Sequence, residues 1–215
     1  LTGETFQQFE VLRVIPVVAV ERPDDALRLA DTLAEGGLPC AEITFRTAAA
    51  VDAMRIMTGR GGILIGAGTV LDVDQVKAAL DAGARFMVSP GFNPVVAAYC
   101  VENGIDFTPG VCTPTEIEGA LGFGLKVMKF FPAEAFGGLN TLKALSGPYP
   151  EVKFIPTGGI TLQNLLAYLK FPKVLACGGT WIAPAEAVLK GRFGEILKNA
   201  REAVKVVSES GRPSP

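Results

Sequence analysis

Eight short apolar runs alternate with helix-period segments, and this order constrains the chain more than any other feature. The runs are "RVIPVVAV" (13–20), "CAEITFR" (40–46), "ILIGAGTV" (63–70), "RFMVSPG" (85–91), "IDFTPGV" (105–111), "LKVMKFFP" (125–132), "VKFIPTGG" (152–159) and "VLACGGT" (174–180). Between them lie amphipathic stretches such as "RPDDALRLADTLAEGG" and "DVDQVKAALDAGA". Asp72 and Thr113 stand where N-caps are expected, and Gly36, Gly37 and Gly83 where helices stop. Strands that alternate with helices imply βα units and a parallel sheet. Eight such units in 215 residues fit an α/β fold of the (β/α)8 (TIM) barrel type, at the short end of its size range. Residues 4–12 read as an extra N-terminal helix over the barrel floor. The rival topology is a doubly wound open sheet. No linker or low-complexity run divides the sequence, so residues 1–215 are expected to form one domain.

Composition narrows the function. The formal charge of -2 gives no general basic surface for nucleic acid. No apolar run reaches the roughly 18 residues that span a membrane, and the opening "LTGETFQQFE" lacks the features of a secretory leader. Cys40, Cys100, Cys112 and Cys177 are far apart and form no CxxC pair. With no histidine in the chain, neither a metal site nor a disulfide framework is expected, and the expected compartment is the cytoplasm. The missing histidine also excludes a Ser-His-Asp triad or a Cys-His pair. A proton carrier working near neutral pH must then be a carboxylate, lysine, cysteine or tyrosine.

In a barrel, chemistry belongs at the C-terminal ends of the strands. Arg46, Thr69, Pro90, Pro109, Lys129, Thr157 and two Gly-Gly pairs fall toward those ends. In "GLKVMKFFPAE", Lys129 stands among Val127, Met128, Phe130 and Phe131, and lysine is rarely buried without a partner. Strand alternation sends Glu42 and Arg46 to the inner face, where they meet Lys129. Apolar walls and a neighbouring cation both disfavour an ammonium. A neutral amine attacks a carbonyl and forms a Schiff base. Two structural readings stay open beside this one: Glu42 pairing with Arg46, and a buried Lys129–Glu42 ion pair. Lys126, three residues earlier, takes the opposite face and reaches water. "PTGGI" and "CGGTW" close the seventh and eighth runs, whose loops commonly hold phosphate in barrels. Glycine lets backbone N–H groups approach an anion, a following helix N-terminus adds a favourable dipole, and Thr180 offers a hydroxyl. Cys112 and Cys177 read as small buried hydrophobes. Trp181 and Phe136 line the mouth or merely pack. The C-terminal "REAVKVVSESGRPSP" reads as a helix with a frayed tail.

The motifs "VIPVVAV", "AEITFRT", "GAGTVL", "SPGFNP", "KFFPAE", "PTGGI" and "GGTW", in that order from about Val14 to Pro184, resemble the 2-keto-3-deoxy-6-phosphogluconate (KDPG) aldolases, which are class I (β/α)8 barrels. The resemblance implies a lyase that splits KDPG into pyruvate and glyceraldehyde 3-phosphate without a cofactor or metal. It carries Lys129 over as the Schiff-base lysine and Glu42 as general acid/base. Arg46 and Thr69 would hold the keto-acid end. Gly158, Gly159, Gly178, Gly179 and Thr180 would hold the phosphate, and Pro90, Phe131 and Thr157 would line the pocket. A homotrimer is implied, with no nucleic-acid or membrane partner. The sequence departs from the family at Thr180, where serine is usual, at Phe45, where leucine is common, and at Cys112. Preference for 4-hydroxy-2-oxoglutarate (KHG) or for the phosphogalactonate epimer stays open. So do a phosphate-binding isomerase or synthase without a covalent lysine, and an inert assembly scaffold.

Overall fold

A computed structural model describes residues 3–211; the terminal tail read from the sequence at 212–215 lies outside the described residues. Each apolar run contains strand: β1 (Val14–Val18), β2 (Cys40–Thr44), β3 (Leu64–Gly68), β4 (Phe86–Val88), β5 (Asp106–Thr108) with β6 (Gly110–Val111), β7 (Val127–Phe130), β8 (Lys153–Pro156) and β9 (Cys177–Gly179). The fifth run divides at Pro109, which has no N–H to offer a ladder. Neighbouring strands pair in parallel. They form a six-stranded sheet in the order β5-β4-β3-β2-β1-β9 and a three-stranded sheet in the order β6-β7-β8. Parallel bridges also join Phe154 to Val174 and Thr157 to Gly178. The result is an α/β fold of parallel strands in a curled sheet.

The helices are α1 (Glu4–Leu12), α2 (Asp25–Glu35), α3 (Ala50–Arg60), α4 (Val73–Asp81), α5 (Pro94–Glu102), α6 (Pro114–Gly122), α7 (Gly138–Ser146), α8 (Leu162–Leu169), α9 (Ala185–Leu189) and α10 (Phe193–Glu209). Their starts follow the side chains. The Asp72 carboxylate accepts from the Gln75 N–H at the head of α4. Thr113 and Glu116 make a reciprocal capping box at the head of α6, and Thr161 and Asn164 make another at α8. α2 stops at Gly36, and the next glycine, Gly37, has φ 84°.

Two buried clusters divide the apolar residues by strand face. Val14, Ile43, Ala67, Met87, Met128 and Phe130 pack with the helices. Ile15, Cys40, Phe86, Val88, Val127 and Ile155 share the other cluster, joined by Phe9 of α1. The Phe9 ring meets Phe86 edge-on at 4.9 Å. Next to it Arg13 caps α1 in a left-handed conformation (φ 62°) and is only 1% exposed. Its guanidinium donates to the carbonyls of Leu169, Val174 and Leu175. The charge is thus spread over three backbone carbonyls, at the end of α8 and in the segment before β9. Among the described residues, no helix is long and apolar enough to cross a membrane.

Candidate active site

Alternation within β2 and β7 sets the centre of the site. Cys40 and Val127 belong to the inner cluster, and Ile43, Met128 and Phe130 to the outer one. Period-two geometry therefore turns Glu42 and Lys129 inward. There the Lys129 Nζ donates to Glu42 Oε1 at 3.0 Å, and each side chain is 5% exposed. The Lys129 Nζ also stands 5.3 Å from the centre of the Phe131 ring. Gly68 on β3 makes room for the carboxylate: a Cβ there would lie 2.3 Å from Glu42 Oε1. Of the two structural alternatives raised by the sequence, Glu42 pairs with Lys129. Lys126 is exposed, as its place near the strand start implies.

Arg46 lies outside the strand ladder. Alternation predicts an inward side chain, but β2 ends at Thr44 and Arg46 is exposed beyond it. It makes no hydrogen bond or ion pair to the described residues. The period-two rule holds only along the ladder, so it does not fix the side chain of Arg46, which is exposed just past the end of β2. Thr69 follows β3 directly and has φ 57°. A β-branched residue in the left-handed region is strained, at a cost of about 1–3 kcal/mol. Its strain gives Thr69 a distinctive mark that composition and spacing do not carry.

The residues expected to line a pocket follow β4, β7 and β8. Pro90 is half-buried, and its carbonyl oxygen would lie 2.1 Å from a Cβ on Gly110. Phe131 is half-buried just past Lys129. Thr157 is 3% exposed, and its N–H donates to the Phe130 carbonyl at 2.9 Å. Gly158 (φ 93°) and Gly159 (φ 81°) form a left-handed pair that ordinary side chains resist. Gly178 and Gly179 differ from the expected loop pair. They are the end of β9, paired with Ile15 and Pro16. Their smallness serves close packing, since a Cβ on Gly178 would meet Thr157 Oγ1 at 2.2 Å. Thr180, the next residue, is exposed.

The cysteines are poor nucleophiles. Burial pushes the thiols of Cys40 and Cys177 up strongly and that of Cys100 up to about 12. Burial and then the Glu116 carboxylate also raise Cys112. All four thiols thus stay protonated near neutral pH. Sequence reasoning missed the roles of Arg13 and of the Tyr168–Glu134 contact: Arg13 opens the first run and Glu134 closes "KFFPAE", but their partners lie far along the chain and only folding brings them near.

The inner amine and its carboxylate are the centre around which relatives can be compared. The profile of the KDPG and KHG aldolase family matches residues 6–199. A 2-dehydro-3-deoxy-phosphogluconate aldolase of Treponema pallidum is 48% identical over 94% of this chain and 97% of its own length. The KHG/KDPG aldolase of Escherichia coli is 42% identical over 89% and 91%. Among solved structures, the KDPG aldolase of Legionella pneumophila has 38% identity and a TM-score of 0.90, covering 94% of this chain and 99% of that one. In that structure pyruvate is captured as a covalent carbinolamine. With the profile spanning most of its length and close relatives matching nearly end to end, the chain belongs to the KDPG and KHG aldolase family.

Proposed function

We propose that this protein is a class I aldolase that cleaves KDPG to pyruvate and glyceraldehyde 3-phosphate. The observation that carries the reading is the inward amine of Lys129 at 3.0 Å from the Glu42 carboxylate, in a site where both are almost fully buried. The Lys129 amine attacks the C2 ketone and forms a carbinolamine. Loss of water gives an iminium, which is the electron sink. Glu42 carries protons in these steps, being already within hydrogen-bond reach of the nitrogen. It then takes the C4 hydroxyl proton, through a water. The C3–C4 bond breaks, glyceraldehyde 3-phosphate leaves, and the enamine on Lys129 is protonated and hydrolysed to pyruvate. Because the iminium accepts the electron pair, this chemistry needs no metal or cofactor.

Arg46 and Thr69 are assigned to the substrate carboxylate, supported by an exposed guanidinium just past β2 and a strained backbone just past the neighbouring β3. Gly158, Gly159, Gly178, Gly179 and Thr180 are assigned to the phosphate, and Pro90, Phe131 and Thr157 to the pocket wall. The two sheets are taken as one closed (β/α)8 barrel domain. In its support, only Pro109 interrupts the fifth run, and the Thr157–Gly178 bridge spans the other gap. α1 is taken as the extra helix over the floor, supported by the Phe9–Phe86 contact. A cytoplasmic homotrimer completes the proposal.

A second reading is that KHG is cleaved as well or better. It is favoured by the family profile, which covers both substrates, and by a relative named for both. The lysine half of the pocket serves either substrate alike. The test is to treat the protein with pyruvate and borohydride and locate the adduct by mass spectrometry. Lys129 is expected to carry the label, and Lys129→Met to lose both label and turnover while keeping its circular-dichroism spectrum. Labelling at Lys126, or none at all, would remove the Schiff-base assignment.

A further inference from the structure

The loops after β7 and β8 are fastened together by contacts that the chemistry at Lys129 does not use. The Ala133 N–H donates to the Thr157 carbonyl at 2.8 Å, and the Glu134 N–H to the Gly158 carbonyl at 3.0 Å. A Cβ added to Gly159 would lie 2.5 Å from Glu134 Cβ, so the glycine backbone rests directly on that side chain. From the far end of α8, Tyr168 donates its hydroxyl to Glu134 Oε1. Tyr168 is 2% exposed, and burial followed by the Glu134 hydrogen bond pushes its phenol up, which keeps it a donor. The carboxylate is seated against Gly138, the first residue of α7: a Cβ there would meet Glu134 Oε1 at 2.8 Å and the Tyr168 hydroxyl oxygen at 3.0 Å. On the other side of the loop, the Asn164 amide donates to the Gly159 carbonyl at 3.1 Å.

We propose that the Glu134–Tyr168 contact is a positioning device that fixes the Gly158–Gly159 loop and so sets the preference for a phosphorylated substrate over KHG. The inference rests on the functional reading above. Two adjacent glycines have no side chains of their own to anchor them, and glycine is the most conformationally free residue. An anion that must be met by several N–H groups at once is bound best when those groups are already in place. Glu134 supplies the surface on which Gly159 rests, and Tyr168 holds Glu134. Both residues act through the loop and not on the reacting atoms.

The experiment is to measure kcat and KM for KDPG and for KHG in the wild type and in Tyr168→Phe, Glu134→Ala and Glu134→Gln. Phenylalanine keeps the buried ring and loses only the hydroxyl. Tyr168→Phe and Glu134→Ala are expected to lose about tenfold in kcat/KM for KDPG, mainly through KM, and less than about twofold for KHG. Glu134→Gln retains an acceptor for the tyrosine and should restore most of the KDPG activity. Equal losses on both substrates, or no loss on either, would overturn the positioning role. Pyruvate–borohydride labelling of the same samples separates the two readings. If Lys129 is labelled but the substrates do not diverge, only this inference fails. If the wild type is not labelled, the aldolase reading itself fails.

Discussion

Two regions of the molecule contrast: at Lys129 and Glu42 two charged side chains meet inside the fold, and at Gly158–Gly159 and Thr180, proposed for the phosphate, the chain offers glycine backbone and an exposed threonine. Lys129 and Glu42 are each 5% exposed and touch at 3.0 Å. Their positions come from strand alternation and from the space left by Gly68. The Gly158–Gly159 end has no side chains of its own; Glu134 packs against Gly159, Tyr168 donates to Glu134, and Asn164 donates to the Gly159 carbonyl. On the proposed roles, the difference teaches how one fold separates chemistry from selection. Bond-making groups gain from burial, where the chain fixes both atoms and water is excluded. A recognition loop gains from access and adjustable backbone, and it can be altered without touching the reaction centre.

The sharpest break in this comparison is expected at Glu42. Glu42→Gln keeps the shape and an acceptor for Lys129, but the amide cannot carry a proton. Turnover should fall about 10²–10⁴-fold on both substrates, while borohydride trapping with excess pyruvate still labels Lys129. Near wild-type turnover would show that another group moves the protons.

Gly68→Ala is expected to cost less, about 10²-fold, again on both substrates. The methyl would sit 2.3 Å from Glu42 Oε1 and must push the carboxylate off its place. The backbone there accepts alanine, because Gly68 is not in a left-handed conformation. Kinetics beside a thermal melt would check this. Loss of the fold with no specific kinetic effect would count against a steric role for Gly68 at the carboxylate.

The narrowest effect, confined to one substrate, is expected at the exposed end. Thr180→Ala removes one hydroxyl, and a hydrogen bond to a charged group is worth about 1.5–3 kcal/mol. Thus kcat/KM for KDPG should fall roughly 10- to 150-fold, with little change for KHG. Parallel losses on both substrates would erase the division between the two ends. Gly159→Val is the poorer probe. It would press on Glu134 at 2.5 Å and force a β-branched residue to φ 81°, so it would report on folding as well as on phosphate.

The order of strands and helices was legible because hydrophobic periodicity is a local property: all eight runs contain strand, and Asp72 and Thr113 cap helices as their chemistry requires. Lys129 was legible as an anomaly, an amine in an apolar strand, and Glu42 as an inward carboxylate. The family was legible because its motifs are contiguous stretches in a fixed order. Long-range matters were not legible. That Glu42 takes Lys129 as its partner and not Arg46 depends on where β2 ends and how three strands curl together. Arg13 is only the first letter of the first run in the sequence, yet its partners lie more than 150 positions away along the chain. Thr69 carries no sequence mark of its left-handed backbone, because only the fold around it can hold a threonine there. The Gly178–Gly179 pair reads as a loop in the sequence and is a strand end, with no room at Gly178 for a side chain beside Thr157. The sequence by itself determined the period, the caps, the motifs and the residue types available for the chemistry. Tertiary structure decided which of those residues face one another, because burial and distance are set by chain segments that never meet along the sequence.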